Sequence, residues 1–169
     1  AQKYIVSGTF RYDGSSKFAK GNQWGFFPAA SAAWVVSEEP FFESVKRTMN
    51  NLKLRVSYGQ TGNNGIGLYD TYGAFATGRY NGMTTILPSA MQNSDMQWES
   101  TTQLDVGLDV GFLNDRVRFI FDYYNKKTDN MLFSITMPDT GPYSNVKANV
   151  GSARFYGFEA ELNAEVIRT

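Results

Sequence analysis

The stretch from Trp98 to Phe112 reads WESTTQLDVGLDVGF, and its alternation decides the fold class. Six of the eight even positions are apolar, namely Trp98, Leu104, Val106, Leu108, Val110 and Phe112. The odd positions hold no large apolar residue. Alternation with a period of two indicates a β-strand that has one apolar face and one polar face.

The length of this strand indicates where it lies. Globular strands usually contain about 5–6 residues, whereas a strand that crosses a bilayer needs roughly 9–11. An apolar outer face, a polar inner face and aromatic ends are typical of a transmembrane barrel strand. We therefore expect lipid contact for Leu104, Val106, Leu108 and Val110, and a lumen position for Gln103, Asp105 and Asp109. A long strand in a soluble sandwich is the alternative.

The composition argues against catalysis. The chain has 169 residues and contains neither Cys nor His. This excludes disulfides, thiolate metal sites, and the usual general base with its Ser-His-Asp and Cys-His arrangements. Equal numbers of basic and acidic residues, 16 of each, give no electrostatic reason to expect nucleic acid as a partner. We expect no enzyme activity, no cofactor and no metal ion.

About six strands follow one another in up-and-down order. Extended segments cover residues 3–13, 25–36, 52–60, 98–112, 117 onward and 157–166, and residues 131–137 could extend the fifth. Polar connections cover residues 13–24, 61–96 and 138–150, with weak strand character at 69–80. The turn 113–116 is short, and in the connector 37–50 Ser37 could cap a short helix through Glu43–Lys46. Long loops at one rim and a short turn at the other are typical of outer-membrane barrels.

Several motifs resemble the SusC/RagA family of TonB-dependent outer-membrane transporters. They are FRYDGSS (10–16), SEEPFF (37–42), LKLRVSYGQTGN (52–63), WESTTQ (98–103), DVGLD (105–109), LNDR (113–116), DYY (122–124), NVGS (149–152) and GFE (157–159). The resemblance runs through nearly the whole chain in the same order and is weakest at residues 66–96.

The resemblance implies a fold and a function. Residues 1–169 are identified as part of one all-β domain, with antiparallel up-and-down strands of a larger 22-stranded, plugged transmembrane barrel. We expect the plug domain and the TonB-binding segment to lie outside this sequence. The implied function is the import of large nutrients, such as glycans or peptides, across the bacterial outer membrane. The implied partners are the rest of the barrel and its plug, a SusD-like surface lipoprotein, the TonB system, membrane lipid and the substrate.

Two other interpretations remain. A complete eight-stranded outer-membrane barrel would suit the length, but about six strands are predicted, and such barrels typically end in an aromatic residue, whereas this chain ends in Val166–Thr169. A soluble all-β binding domain would have to bury the apolar faces against a second sheet.

Aromatic residues outside the strands are the candidate contacts for substrate or lid. Tyr69, Tyr72, Phe75 and Tyr80 fall in the long connection 61–96, and exposed loop aromatics are better binding candidates than strand aromatics. Trp24, predicted to lie in a loop, joins them. Trp34 and Trp98 favour the interfacial aromatic girdle instead.

Charged side chains should line the lumen. Asp105 and Asp109 lie four residues apart on one face with no defined catalytic partner, so we expect lumen-facing polarity rather than acid–base chemistry. Glu159, Glu161 and Glu165 are interpreted in the same way. The inward basic residues, which could pair with these carboxylates across strands, are Arg11, Lys53, Arg55, Arg118 and Lys126.

Overall fold

The computed structural model describes residues 2–138, 141, 143 and 145–166. The strands are β1 (Tyr4–Gly14), β2 (Trp24–Val35), β3 (Met49–Asn63), β4 (Ala74–Tyr80), β5 (Met83–Ala90), β6 (Glu99–Phe112), β7 (Val117–Asp129), β8 (Leu132–Thr136), β9 (Asn145–Asn149) and β10 (Ser152–Ala164). Two 3₁₀ turns, Val36–Glu38 and Pro40–Phe42, follow β2. Among these described residues, no helix is long and apolar enough to cross a membrane.

Six strands form one antiparallel sheet in the order β1-β2-β3-β6-β7-β10. Every neighbour in this sheet is the next sheet strand along the chain, which confirms the predicted up-and-down arrangement. Two small hairpins, β4–β5 and β8–β9, interrupt the connections at one end. Within the described residues the sheet stays open, with β1 and β10 as its edges.

The strand register confirms the predicted alternation. Leu104 pairs with Tyr58, and Val106 pairs with Val56 on one side and Tyr123 on the other. Neighbouring side chains of a register row share a face, so these rows form the apolar face of the sheet. Asp105 pairs with Ser57 in the next row, on the opposite, polar face.

The apolar face is exposed rather than covered by a second sheet of the described residues. Its exposed members include Val6, Phe10, Phe26, Val56, Val106, Phe158 and Leu162. Aromatic rings pack along it, with centroids 6.3 Å apart for Phe10 and Phe26 and 5.7 Å apart for Phe121 and Phe158. An exposed apolar surface of this extent is foreign to a soluble monomer and suits contact with lipid.

Aromatic pairs mark both ends of the apolar face. Tyr12 stacks on Trp24 at one end with a centroid distance of 5.1 Å, and Tyr4 stacks on Trp34 at the other with 6.4 Å. The two tyrosines are eight positions apart on β1, about 26 Å along the strand. A tilt of about 40° leaves roughly 20 Å of height, close to the apolar band of about 25 Å in membrane barrels. The pairs therefore lie where aromatic girdles lie.

Several boundaries differ from the sequence predictions. Residues 61–96 are not one loop, because β3 continues to Asn63 and the hairpin β4–β5 follows, with only residues 74–80 of the weak 69–80 segment extended. Residues 131–137 do not extend β7. Asn130 has a positive φ of 56° that ends the strand, and β8 pairs instead with β9. The last strand begins at Ser152 rather than at 157. The predicted turn 138–142 lies partly outside the described residues.

The connector between β2 and β3 also differs. Ser37 does not cap a helix but lies buried inside the first 3₁₀ turn, whose N-terminal flanking residue is Val35. Pro40 opens the second turn. The turn between β6 and β7 is as tight as predicted, because Leu113, Asn114 and Asp115 all have positive φ. We call this end of the sheet the turn rim and the opposite end the loop rim.

The two faces should respond differently to an added charge. Val106→Arg places a guanidinium on the apolar face near mid-strand, where we expect a loss of about 2–4 kcal/mol in bilayer stability. Gln103→Arg on the polar face of the same strand is the control and should cost less than half as much. Urea unfolding of the intact barrel in vesicles measures both, and equal losses would contradict the assignment of the faces.

Candidate functional site

One arginine on the polar face forms ion pairs with two neighbouring strands. Arg55 on β3 donates to Asp109 on β6 (Nη2 to Oδ1, 2.7 Å) and to Asp122 on β7 (Nη2 to Oδ1, 3.0 Å). Gly107 lies between the partners, and a Cβ added there would come within 2.7 Å of the Arg55 guanidinium carbon. The glycine thus leaves room for a side chain to span three strands. All three charged groups are partly exposed, so water weakens the attraction and the contact mainly orients the groups.

The two aspartates of β6 belong to separate networks. Asp105 accepts hydrogen bonds from Ser57 Oγ at 3.1 Å and from Gln103 Nε2 at 2.8 Å, whereas Asp109 binds Arg55. This arrangement agrees with lumen-facing polarity. An open concavity of about 580 Å³ on the same face is lined by Arg55, Ser57, Gln103, Asp105, Asp122, Tyr124, Lys126 and Glu159.

The predicted cross-strand pairing is found for Arg55 in the part of the chain that the structure describes. Arg11 binds Asp13 on its own strand, and Arg118 lies 3.8 Å from Asp115 in the preceding turn. Lys53 and Lys126 make no ion pair within the described residues. Where a carboxylate lies two or three positions away along the chain, the basic side chain pairs with it rather than with a carboxylate on a neighbouring strand.

The three connections of the loop rim share a small hydrophobic core. Phe18, Ile66 and Met96 are buried together, with Trp98 and Leu132 packed against them. These residues come from the connections 15–23, 64–98 and 130–151. We call these three connections together the loop cluster. Loops that bury a common core behave as one packed body rather than as separate mobile segments.

Trp98 belongs to this core and not to the girdle, so that prediction is wrong. Its ring centroid lies 5.3 Å from Phe18 and 5.5 Å from Phe27, and its indole N–H donates to the Gln23 carbonyl at 3.2 Å. Trp98 precedes the first residue of β6. Outside the ladder the alternation no longer sets its direction, so the side chain can turn into the loops.

Polar contacts join the first two loops. The buried Thr71 hydroxyl donates to the Lys17 carbonyl at 2.9 Å. The Lys17 ammonium in turn donates to the Asn64 carbonyl at 3.3 Å, and Asn22 reaches the Ser94 carbonyl at 3.4 Å. Side chains thus satisfy loop carbonyls that have no partner in the sheet.

Asn149 joins the second and third loops. Its Oδ1 accepts the Gln97 N–H at 2.7 Å, while its Nδ2 donates to the carbonyls of Gln97 at 2.9 Å and Asn130 at 2.8 Å. The amide therefore pairs with Gln97 as a neighbouring strand would. Glu99 adds a further link, because its carboxylate accepts the Leu132 N–H at 3.2 Å and an Asn63 N–H at 3.2 Å.

An ion pair also joins these two loops. Lys147 Nζ lies 2.6 Å from Asp70 Oδ2, and the same carboxylate accepts the Gly67 N–H. Partial burial raises the pKa of the Asp70 carboxyl, but the hydrogen bonds from Lys147 and Gly67 outweigh it, so the pKa lies below its ordinary value. Folding of the loops therefore favours the ionised form of the Asp70 carboxyl group.

Four of the five candidate aromatics lie on the second loop. Tyr69 and Tyr72 precede β4, whereas Phe75 and Tyr80 lie on β4, five positions apart and so on opposite faces of the hairpin. Phe75 is 76% and Tyr80 77% exposed. Trp24 is not with them, because it is the first residue of β2 and stacks on Tyr12 of the apolar face.

The hairpin presents further apolar residues that the sequence prediction missed. Met83, Ile86 and Leu87 of β5 are exposed beside the β4 aromatics. The signal that could have found this hairpin is Asn81-Gly82, where both residues have positive φ. This dipeptide is typical of a two-residue hairpin turn.

Asn149→Asp should loosen the loop cluster. A carboxylate cannot donate, so the carbonyls of Gln97 and Asn130 each lose a partner, at a cost of about 1–3 kcal/mol. Hydrogen exchange of residues 93–98 in the intact protein should then be roughly tenfold faster or more. Asn145→Asp at the exposed start of β9 is the matched control. Unchanged exchange in Asn149→Asp would contradict the linking role of this amide.

Acid should separate the second and third loops. Since the pKa of Asp70 is lowered by folding, its stabilising contribution is present above the unfolded value of about 3.9 and is lost as the pH falls through the folded value. Spin labels at Thr84 and Ser134 should give a narrow distance distribution at neutral pH that broadens in acid. Asp70→Asn should already be broad at neutral pH, and a distribution independent of both changes would refute the tether.

Comparison with known proteins agrees with this architecture. Residues 1–167 match the family model described as TonB dependent receptor-like, beta-barrel. The chain is 37% identical to TonB-dependent receptor P39 of Formosa agariphila over 98% of this chain and 16% of that protein. It is 37% identical to TonB-dependent receptor SusC of Bacteroides thetaiotaomicron over 99% of this chain and 17% of that protein. The chain thus spans about a sixth of the length of these curated relatives.

A solved structure of the RagAB peptide transporter superposes with a TM-score of 0.88 at 27% identity, covering 99% of this chain and 18% of the solved chain. The matched family comprises transporters and receptors rather than enzymes. Sequence and structure agree on one assignment. The chain belongs to the TonB-dependent receptor β-barrel family, whose members are outer-membrane proteins.

Proposed function

We propose that this chain forms six neighbouring strands of the barrel of a SusC/RagA-type importer, which takes up large nutrients such as glycans or peptides through the outer membrane. The observation that carries the proposal is the two-faced sheet. Its apolar face is exposed, its polar face carries an open concavity, and the chain superposes on the RagAB transporter with a TM-score of 0.88. A polar interior and a lipid-facing exterior are what a transport barrel needs.

The polar face supports a plug domain as its partner. Lys126 and Glu159 line the open concavity beside the Arg55 contacts without an ion pair of their own among the described residues. Unpaired charged groups in a lumen are expected to meet polar partners or water. The plug domain of the same importer is the natural partner here, and the TonB system would act through that plug. In this proposal the chain itself has no catalytic role.

The loop rim supports contact with a SusD-like lipoprotein or with substrate. An isolated two-stranded hairpin is marginally stable in water, yet β4–β5 exposes large apolar residues on both faces. The loop cluster holds its base through the buried Thr71, which lies three residues before β4. A hairpin with a fixed base and apolar faces is suited to docking against a partner, and exposed aromatic residues commonly supply such binding energy.

The alternatives are less consistent with the structure. A complete eight-stranded barrel would close on itself, whereas the described sheet has six strands and two free edges. A soluble domain would cover the apolar face, but in the described residues no second sheet packs on it. Both differences favour membership in a larger barrel.

The hairpin contact is tested in the full-length transporter, expressed with its surface lipoprotein. Phe75→Ser combined with Tyr80→Ser removes two aromatics of β4. We expect about 2 kcal/mol weaker association, which is roughly thirty-fold, if these rings are central contacts. Affinity purification of the lipoprotein and uptake of labelled oligosaccharide and oligopeptide pools measure the effect.

Leu113→Ser is the control, because Leu113 is an exposed apolar residue of the tight turn at the turn rim. Normal association and uptake in the double variant would contradict hairpin docking while leaving the importer proposal intact. Failure of the unaltered transporter to take up either pool would count against the importer proposal itself.

A further inference from the structure

The turn rim carries an apolar pair that the transport proposal does not use. The connection 36–48 is long for this rim, since β6 and β7 are joined by only four residues. Val36 and Phe42 are buried within it, whereas Phe41 is 65% and Val45 is 45% exposed. In outer-membrane barrels the short-turn rim faces the periplasm, so this pair lies on the periplasmic side.

Local hydrogen bonds fold the segment that carries the two exposed residues into a tight turn. The Lys46 N–H donates to the Phe42 carbonyl at 3.1 Å, and the Met49 N–H donates to the Val45 carbonyl at 3.0 Å. These bonds connect residues four apart, as in an α-helix. The Val45 N–H also donates to the Phe42 carbonyl at 2.9 Å, a bond between residues three apart. The segment is thus a tight turn in which Phe42 is buried while Phe41 and Val45 are exposed.

A carboxylate anchors this segment to the apolar face of the sheet. Glu39 accepts hydrogen bonds from the Tyr4 hydroxyl at 2.6 Å, from the Trp34 indole N–H at 3.2 Å and from the Lys3 ammonium at 3.2 Å. Tyr4 and Trp34 form the aromatic pair at this end of the lipid-facing surface. Phe41 follows Glu39 by two residues, so it lies near this aromatic pair at the periplasmic border of the surface.

Two basic groups at this segment have acidic partners, whereas the exposed Arg47 has no ion pair among the described residues. Lys46 lies 4.0 Å from Glu43, and Lys3 pairs with Glu39. The segment therefore presents one cation without an ion pair, Arg47, rather than a strongly basic patch, and apolar contact supplies most of the binding. Tyr and Trp at the headgroup level next to short apolar side chains are characteristic of the membrane interface.

We propose that residues 39–47 form an interfacial foot, in which Phe41 and Val45 insert into the periplasmic phospholipid leaflet of the outer membrane. The foot extends the lipid contact of the barrel beyond the ends of β2 and β3. Because the segment has only one cation without an ion pair among the described residues, insertion depends mainly on the acyl chains and takes place in zwitterionic lipid as well.

Spin-label accessibility in the full-length transporter tests the foot. Single variants Phe41→Cys and Val45→Cys are labelled in a background without other cysteines and reconstituted in zwitterionic phospholipid vesicles. Phe121→Cys on the apolar face is the lipid reference. Glu43→Cys, at a charged and exposed position of the same segment, is the water reference. We expect labels at 41 and 45 to show the high oxygen and low nickel-chelate accessibility of position 121, several-fold different from position 43.

Each other outcome overturns the proposal. Nickel accessibility equal to that of position 43 would place the pair in water. Low accessibility to both reagents would place it against protein, such as the plug or a periplasmic partner. A lipid-like signal that appears only when anionic lipid is added would show that charge, rather than Phe41 and Val45, draws the segment to the membrane.

Discussion

A polypeptide that crosses lipid must pair all its backbone donors and acceptors within the protein, because the bilayer core offers none. The rest of this structure depends on that constraint. It requires long, continuous ladders, and the strands of the main sheet are 11 to 15 residues long with a single register shift, at Met49–Asn51 in β3. Continuous ladders in turn fix which side chains face lipid, so the apolar face and the polar face follow from pairing alone.

The constraint ends where the strands leave the membrane. At the loop rim the backbone is no longer paired in the main sheet, and the chain uses side chains instead, with Asn149 acting as a strand neighbour for Gln97 and Glu99 accepting the Leu132 N–H. At the turn rim the same role falls to Asn50, whose Oδ1 accepts the Asp115 N–H. Each rim is therefore ordered by a few polar residues whose partners are distant in sequence.

This division explains what could be predicted from the sequence. The alternation of residues 98–112 correctly gave the faces of Leu104 and Asp105, since a one-residue slip would have exposed the whole polar set to lipid. The motif LNDR correctly gave the tight turn. The core made by Phe18, Ile66 and Met96 escaped prediction, because no local period connects residues so far apart. Trp98 was misplaced for the same reason, and the strand β9 is too short, at Asn145–Asn149, for its pattern to be distinctive.

The shared core of the loop cluster also limits how proteins of this architecture can diversify. Loops that pack separately can each gain or lose residues at little cost to the others. Here a larger side chain at Phe18 or a smaller one at Met96 changes the packing of all three connections at once. Sequence changes are thus expected to be tolerated mainly at positions outside the core, such as the tip of the β4–β5 hairpin, or through replacement of the three loops together. The unit that has to change together is the whole cluster.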